Sequence, residues 1–232
     1  MATRFLGHPT RVVLRFKGAA GEWVVHRSLL AGRILWKLGH RRSNFVLSYL
    51  SELNGIEIGG SAHNDYALDA INVDRYGELD TVYRREEWRL TGRHREVDVV
   101  APGDRLPFED DAVEFVFASH VLEHFPDPIR ALKEWLRVAR TYVVVVIPHR
   151  DRTFDRDREV TPVEELLRRH EEDLDDPSDL HWSVWTLESF LGLCDRLGFG
   201  VIDSLDPDDK FGDGFMVVLD ATTAGRGPGV RP

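Results

Sequence analysis

The stretch Leu106-Pro107-Phe108-Glu109-Asp110-Asp111-Ala112-Val113-Glu114-Phe115-Val116-Phe117-Ala118-Ser119-His120-Val121-Leu122-Glu123-His124-Phe125, followed by Asp127-Pro128, decides how this 232-residue chain is read. It opens on a proline turn and an acidic run, then passes into the apolar segment 115–118, which predicts a buried strand. The strand ends abruptly in the polar pair Ser119-His120. A helix follows: Asp127 is suited to cap it, Pro128 sits at its first position, and Ile129, Leu132, Leu136 and Ala139 recur at helical spacing. A short apolar strand that ends in polar residues and turns at once into a capped amphipathic helix is one half of a strand–helix–strand unit.

Outward from this block the same alternation continues. Segments 56–58 and 71–73 predict strands before it, as does 97–100, and the β-branched run Tyr142 to Ile147 predicts a central strand buried on both faces. Thr186 caps a last helix, with Leu187, Phe190, Leu191, Cys194 and Leu197 facing inward and Gly198 ending it. Strands near 199–202 and 215–219 follow. Such alternation implies an α/β fold with a mainly parallel sheet between helices. Before residue 55, Leu30, Ile34 and Leu38 predict one helix, and Phe45, Tyr49 and Leu53 a second that starts at Ser43 or Asn44 and is stopped by Gly55. Two apolar stretches, 12–14 and 23–25, receive no assignment. The expected organisation is an N-terminal helical extension over 1–54, a main domain over 55–220, and a disordered tail over 221–232 rich in Gly, Pro, Thr and Arg. Within the main domain, 151–185 is an insertion dominated by acidic side chains, with a helical piece near 162–170. An insertion of that length in a compact domain is usually functional, here as a cap over the acceptor.

Composition sets the outer limits. Apolar residues make up 42% and charged residues 30%, as in an ordinary soluble globule. A net charge of −10 argues against nucleic acid as a partner. The longest apolar run is far too short to span a membrane, and no apolar segment of a secretory signal follows Met1. Cys194 is the single cysteine, which excludes an intrachain disulfide and cysteine-based zinc sites and suits a reducing cytoplasm. A homodimer is compatible with all of this.

Ligands of open α/β sheets bind at the carboxyl ends of the strands, where strand order reverses. There the first strand of the main domain ends Glu57-Ile58-Gly59-Gly60-Ser61, and glycines at such a turn let backbone approach a ligand closely. Asp74, followed by Arg75, ends the next strand, a position from which a carboxylate accepts hydrogen bonds from both hydroxyls of a ribose.

The block 106–125, with Glu134 and Arg137-Val138 on the following helix, resembles the central segment of class I S-adenosylmethionine-dependent methyltransferases. The resemblance runs from about Gly55 to Pro148, and with Asn72-Val73-Asp74 it is similar to a subgroup whose first helix is very short. It implies a Rossmann-like, seven-stranded, mainly parallel sheet flanked by helices, and S-adenosylmethionine as cofactor. It also implies a cofactor site made by Glu57, Gly59, Gly60, Ser61, Asp74, Arg75, Asp104, Arg105, Leu106, Ser119, His120 and Glu123. Two departures stand out. The usual Gly-x-Gly-x-Gly loop is reduced to Gly59-Gly60, with too few residues before the next strand for a full crossover helix, so that Ser61, His63 or Asn64 share in holding the amino-acid end. Pro102 replaces the acidic residue often found before the Leu-Pro-Phe turn. That leaves Asp104, or backbone near Arg105, to meet the adenine.

Methyl transfer is an in-line displacement. The protein aligns the reactants and accepts a proton when the nucleophile carries one. His120, His149 and His181 are the candidate bases; His124 belongs to the motif and serves more simply to brace its helix. His149, Asp151, Asp155 and His181 include metal-ligand residue types, but no spacing demands a metal and none is expected. The subgroup resembled points to an O- or N-methylated small molecule such as a sugar or natural product. The shortened glycine loop keeps open a non-catalytic, cofactor-binding scaffold. It disfavours a nicotinamide oxidoreductase, which needs a full helix N-terminus for the pyrophosphate.

Overall fold

The computed structural model describes residues 11–18, 21–28, 42–78, 81–175 and 180–223. They fall into two compact units. One comprises 11–18, 21–28, 61–63, 78 and 81–95; the other comprises 42–60, 64–77, 96–175 and 180–223.

In the first unit, β1 (Arg11–Gly18) and β2 (Gly21–Ser28) pair antiparallel with Val13 opposite His26. The two unassigned apolar stretches are thus the arms of a hairpin, and the extension over 1–54 is not wholly helical. The helix expected around Leu30, Ile34 and Leu38 lies outside the described residues. The unit also holds a helix absent from the sequence expectations, Val82–Thr91. Thr81 caps it by accepting from the Arg84 N–H at 3.2 Å, and Gly92 closes it in the left-handed conformation. Its buried Glu87 accepts from the Ala62 and Arg95 N–H groups at 2.6 and 2.9 Å and from Arg84 Nη1 at 3.0 Å. Burial raises this carboxyl's pKa, but those bonds outweigh it and hold it below the usual range.

The second unit is built on a seven-stranded sheet. In chain order its strands are β3 (Gly55–Ile58), β4 (Ala70–Asp74), β5 (Val99–Val100), β6 (Val113–Ser119), β7 (Ala139–Pro148), β8 (Val201–Leu205) and β9 (Gly214–Asp220). Their spatial order is β5-β4-β3-β6-β7-β9-β8. The pairs from β5 to β7 are parallel, while β9 runs antiparallel to both β7 and β8. The α/β expectation therefore holds, with an antiparallel edge. No helix links β3 to β4, as the short spacing required.

Alternation along the central strands divides the core between two faces. On one face Val116, Ala118, Val143, Val145 and Ile147 pack beneath Ile129, Leu132 and Trp135 of the helix Pro128–Val138 and Phe190 and Leu193 of the helix Leu187–Leu197. On the other, Phe115, Phe117, Val144 and Val146 pack with Val46 and Leu50 of the helix Asn44–Leu50 and with Tyr66. We label the helices α1 (Asn44–Leu50), α2 (Val82–Thr91), α3 (Pro128–Val138), α4 (Val163–Glu171) and α5 (Leu187–Leu197). The expected stripe of α1, Phe45, Tyr49 and Leu53, only flanks the core; Val46 and Leu50 are its fully buried pair, and the helix ends before Gly55. Because α1 packs on the sheet, it belongs to this unit rather than to a separate extension. The expected caps of α3 and α5 are present: Asp127 Oδ1 accepts from the Arg130 N–H at 3.0 Å, and Thr186 and Ser189 form a reciprocal capping box. Among the described residues no helix is long and apolar enough to cross a membrane.

Candidate active site

Strand order reverses at β3, which lies between β4 and β6, so the carboxyl ends of these strands frame the expected crevice. Glu57 is buried in β3. Gly59 follows at φ +67°, and a Cβ there would lie 2.9 Å from Val121 Cγ2; both the backbone angle and the space call for glycine. Asn72 of β4 fixes the next residue. Its Oδ1 accepts from the Gly60 N–H at 2.9 Å, while its Nδ2 donates to the Gly60 carbonyl at 3.1 Å and the Glu96 carbonyl at 2.7 Å. The Gly59 N–H donates to the Val73 carbonyl at 2.8 Å, so both glycines are held from β4, Gly60 by a buried amide side chain. Asp74 ends β4 with Oδ1 accepting from the Tyr76 N–H at 2.8 Å, and the exposed Arg75 leans over the Tyr76 ring. Ser61 belongs to the first unit, where its hydroxyl is 2.5 Å from His63 Nδ1.

The loop after β5 is pinned by α3. Trp135 Nε1 donates to the Gly103 carbonyl at 2.7 Å, and Glu134 Oε1 accepts from the Leu106 N–H at the same distance. Asp104 accepts from Arg130 Nε and Nη2 at 2.8 and 2.7 Å, so its carboxylate is committed to the protein. Arg105 reaches outward to Asp175 at 3.0 Å. Leu106 is buried in the core cluster that includes Ile129, Leu132 and Trp135.

At the end of β6 the Ser119 hydroxyl accepts from Asn64 Nδ2 at 2.9 Å and lies 3.3 Å from the Tyr66 hydroxyl. Asn64 Oδ1 is buried without a hydrogen-bond partner. His120 adopts φ +55°, which is uncommon for a side chain larger than glycine, and its N–H is held by the Val146 carbonyl at 2.9 Å. Its ring Nε2 is buried and makes no hydrogen bond. The nearest acid, Asp213 Oδ1, stands 3.7 Å away and is likewise unbonded. Burial lowers the His120 pKa despite the pull of Asp213 and Asp208, so the imidazole is neutral near pH 7.

The 206–214 loop supplies side chains that no sequence motif marked. Asp208 is buried and accepts from the Lys210, Phe211 and Gly214 N–H groups at 3.1, 2.7 and 2.8 Å. Lys210, also buried, sets its ammonium 3.5 Å from the centre of the Tyr66 ring and donates to the Asp65 carbonyl. Burial pulls its pKa down to about 8 against the nearby carboxylates.

Glu123 is fully buried, and burial above all pushes its carboxyl up to about 8. Its backbone carbonyl accepts from the Trp182 and Ser183 N–H groups at 2.7 and 3.3 Å, anchoring the end of the 151–185 insertion. His181 lies beside it, with Nδ1 2.6 Å from the buried Asp155 and its ring edge-on to His124 at 4.7 Å. Asp155, named in the sequence only among metal-ligand residue types with His149, Asp151 and His181, is the partner that orients His181. His149 is a turn residue. Its Nδ1 accepts from the Asp151 N–H at 3.1 Å, and its backbone bridges to Trp185. Its one neutral-ring acceptor is used there, and its pKa is lowered by burial and by Arg152.

A family described as "Methyltransferase domain" matches residues 62–147. No curated protein matches the sequence. Similar solved structures include a Thermotoga maritima S-adenosylmethionine-dependent methyltransferase described as a possible histamine N-methyltransferase. It is 22% identical over 81% of this chain and 93% of that one, with a TM-score of 0.48. An Aquifex aeolicus S-adenosylmethionine-dependent methyltransferase is 15% identical over 80% and 86%, at 0.44. One from Methanosarcina mazei is 17% identical over 76% and 96%, at 0.47.

The residues present fit S-adenosylmethionine. At Gly59 the left-handed backbone and Val121 leave no room for a side chain, Asp74 stands at the end of β4, and the buried Asn64 Oδ1 has no partner to satisfy it within the protein. The methyltransferase-domain match over residues 62–147 takes in β4 and β6 at this reversal of the sheet, and it indicates S-adenosylmethionine as the cofactor.

Proposed function

We propose that this enzyme methylates an oxygen or nitrogen of a small molecule, a sugar or natural product, in the cytoplasm, with His120 as the general base. The observation that carries the proposal is His120 Nε2: buried, without a hydrogen-bond partner, and belonging to an imidazole that burial keeps neutral. A buried polar atom left unpaired is costly unless it serves a partner that the protein alone does not contain. The left-handed backbone at His120 directs the chain sharply away from β6 at the sheet's carboxyl edge, and strain of this kind gathers at working sites.

Glu57, Gly59, Gly60 and Asp74 would hold the cofactor, with Leu106 and the backbone near Arg105 at the adenine and Ser119 and Asn64 toward the amino-acid end. Asp104 is the weakest member of that set, because Arg130 already occupies its carboxylate. Bound there, the cofactor supplies an electrophilic methyl carbon on a sulfonium. His120 Nε2 would accept the proton of the acceptor's hydroxyl or amine as that methyl group is delivered. Phe154, 77% exposed and 4.6 Å from the His181 ring, offers a flat apolar surface against which a sugar or aromatic ring packs. The acidic insertion favours a cationic acceptor such as an aminosugar. Incubating the enzyme with S-adenosylmethionine and panels of amino and hydroxyl compounds, read by mass gain of one methyl group, tests the proposal. Methylation confined to carbon atoms, or to macromolecules, would contradict it.

A further inference from the structure

Beyond methyl transfer, the structure assigns a binding site for a divalent transition-metal ion of the zinc class to Glu123, His124 and His181. One ligand atom from each of these side chains lies within 4.8 Å of the others, and Glu123 Oε1 is 3.8 Å from His124 Nε2. In a tetrahedral site with bonds of about 2.0–2.2 Å, ligand atoms stand roughly 3.3–3.6 Å apart. Side-chain rotations of about an ångström would therefore close this set around an ion.

Three features indicate a built site. Glu123 is fully buried, and its Oε2 makes no hydrogen bond, an expensive arrangement for a carboxyl group unless a cation or donor completes it. His181 is held from behind: Nδ1 faces Asp155 Oδ2 at 2.6 Å, which leaves Nε2 as the ring's lone-pair nitrogen. Asp155 is in turn fixed by Arg158, whose Nη1 donates to Oδ1 at 2.7 Å while Nη2 donates to the His181 carbonyl at 2.8 Å. A carboxylate behind the imidazole is the usual second layer of a histidine metal site, setting tautomer and ring direction. The backbone is tied as well, because the Trp182 N–H donates to the Glu123 carbonyl at 2.7 Å and couples the two ligand segments.

Two imidazole nitrogens and one carboxylate oxygen, with no sulfur, suit zinc or a neighbouring divalent ion and leave a coordination position open to water or to an oxygen or nitrogen ligand. The three residues come from two segments far apart in sequence, and no sequence spacing announces them.

The test uses the full chain, freed of metal by chelation and titrated with zinc chloride, with cobalt(II) as a spectroscopic probe. Wild type should bind one equivalent of zinc per chain and give the intense visible absorption of tetrahedral cobalt. His181→Ala and Glu123→Gln should abolish the one-equivalent step. Asp155→Asn should weaken it by about 10–100-fold, the effect of losing an outer-layer partner. Circular dichroism checks folding, and Glu123→Gln, close in shape to the native side chain, decides the matter if His181→Ala does not fold. Absence of stoichiometric binding in wild type overturns the site, as does binding unchanged across the variants. Neither outcome bears on S-adenosylmethionine binding, which is measured separately.

Discussion

Among the imidazoles that face carboxylates in this enzyme, those of His181 and His120 are held in different ways. His181 and Asp155 are 2.6 Å apart, with Arg158 bracing the acid from behind. His120 and Asp213 are 3.7 Å apart, and neither facing atom makes a hydrogen bond. A tight pair fixes tautomer and direction and suits a ring that must hold still, as a metal ligand does. A loose pair leaves a nitrogen ready for a proton that arrives only with the acceptor. Residue type alone does not distinguish the two histidines; what stands behind each ring does.

The sharpest way to break this comparison is His120→Ala. Turnover of an acceptor found by mass gain should fall about 10²–10⁴-fold, the usual contribution of a general base, while calorimetry shows cofactor affinity near that of wild type. In wild type the rate should rise with pH through a midpoint below the ordinary histidine value of 6.5, because burial disfavours the protonated ring and the base acts only when neutral. That limb should vanish in the variant. A full-rate His120→Ala enzyme would move the role to another residue. Next in size, Asp74→Ala should weaken S-adenosylmethionine binding by about 1.5–3 kcal/mol, roughly 10–150-fold, and leave the saturated rate much less affected. This separates the cofactor side from the proton-accepting side. Gly59→Ala should cost about 1–2 kcal/mol of folding stability in urea denaturation, since φ is +67° and Val121 blocks the new Cβ. An unchanged midpoint would show that the turn relaxes freely. The smallest signal belongs to Lys210. Its folded pKa of about 8 lies below its ordinary 10.5, so between these values the unfolded chain binds more protons and stability should rise with pH. The slope should flatten in Lys210→Met, and a slope identical to wild type would count against the buried ammonium.

The same contrast separates what the sequence made legible from what it did not. The β6 block, the capped helices α3 and α5 and the missing crossover helix were all readable, because local periodicity, caps and chain length determine them. Helix α2 was readable in principle from Thr81 and Gly92, but its charged sequence Val-Tyr-Arg-Arg-Glu-Glu-Trp-Arg-Leu-Thr lacks the apolar stripe that reveals a helix. On the cofactor side, Glu57, Gly59 and Asp74 stand at strand ends that topology brings together. Asn72, which does the holding at Gly60, looked like an ordinary strand residue. Lys210 over Tyr66, Asp213 beside His120 and Asp155 behind His181 depend on loops closing across the sheet edge. No period or motif encodes those distances. Asp104 shows the converse: its position suggested a ligand contact, but α3 turned Arg130 onto it.

The central claim is that the β3, β4 and β6 ends form one S-adenosylmethionine site with a separate proton acceptor beside it. Calorimetric titration of S-adenosylmethionine into wild type, Asp74→Ala and His120→Ala tests it most directly. The account predicts single-site binding in wild type, a loss of roughly 10–150-fold in Asp74→Ala, and little change in His120→Ala. No detectable binding by folded wild type at millimolar cofactor, or equal affinity in wild type and Asp74→Ala, would contradict it.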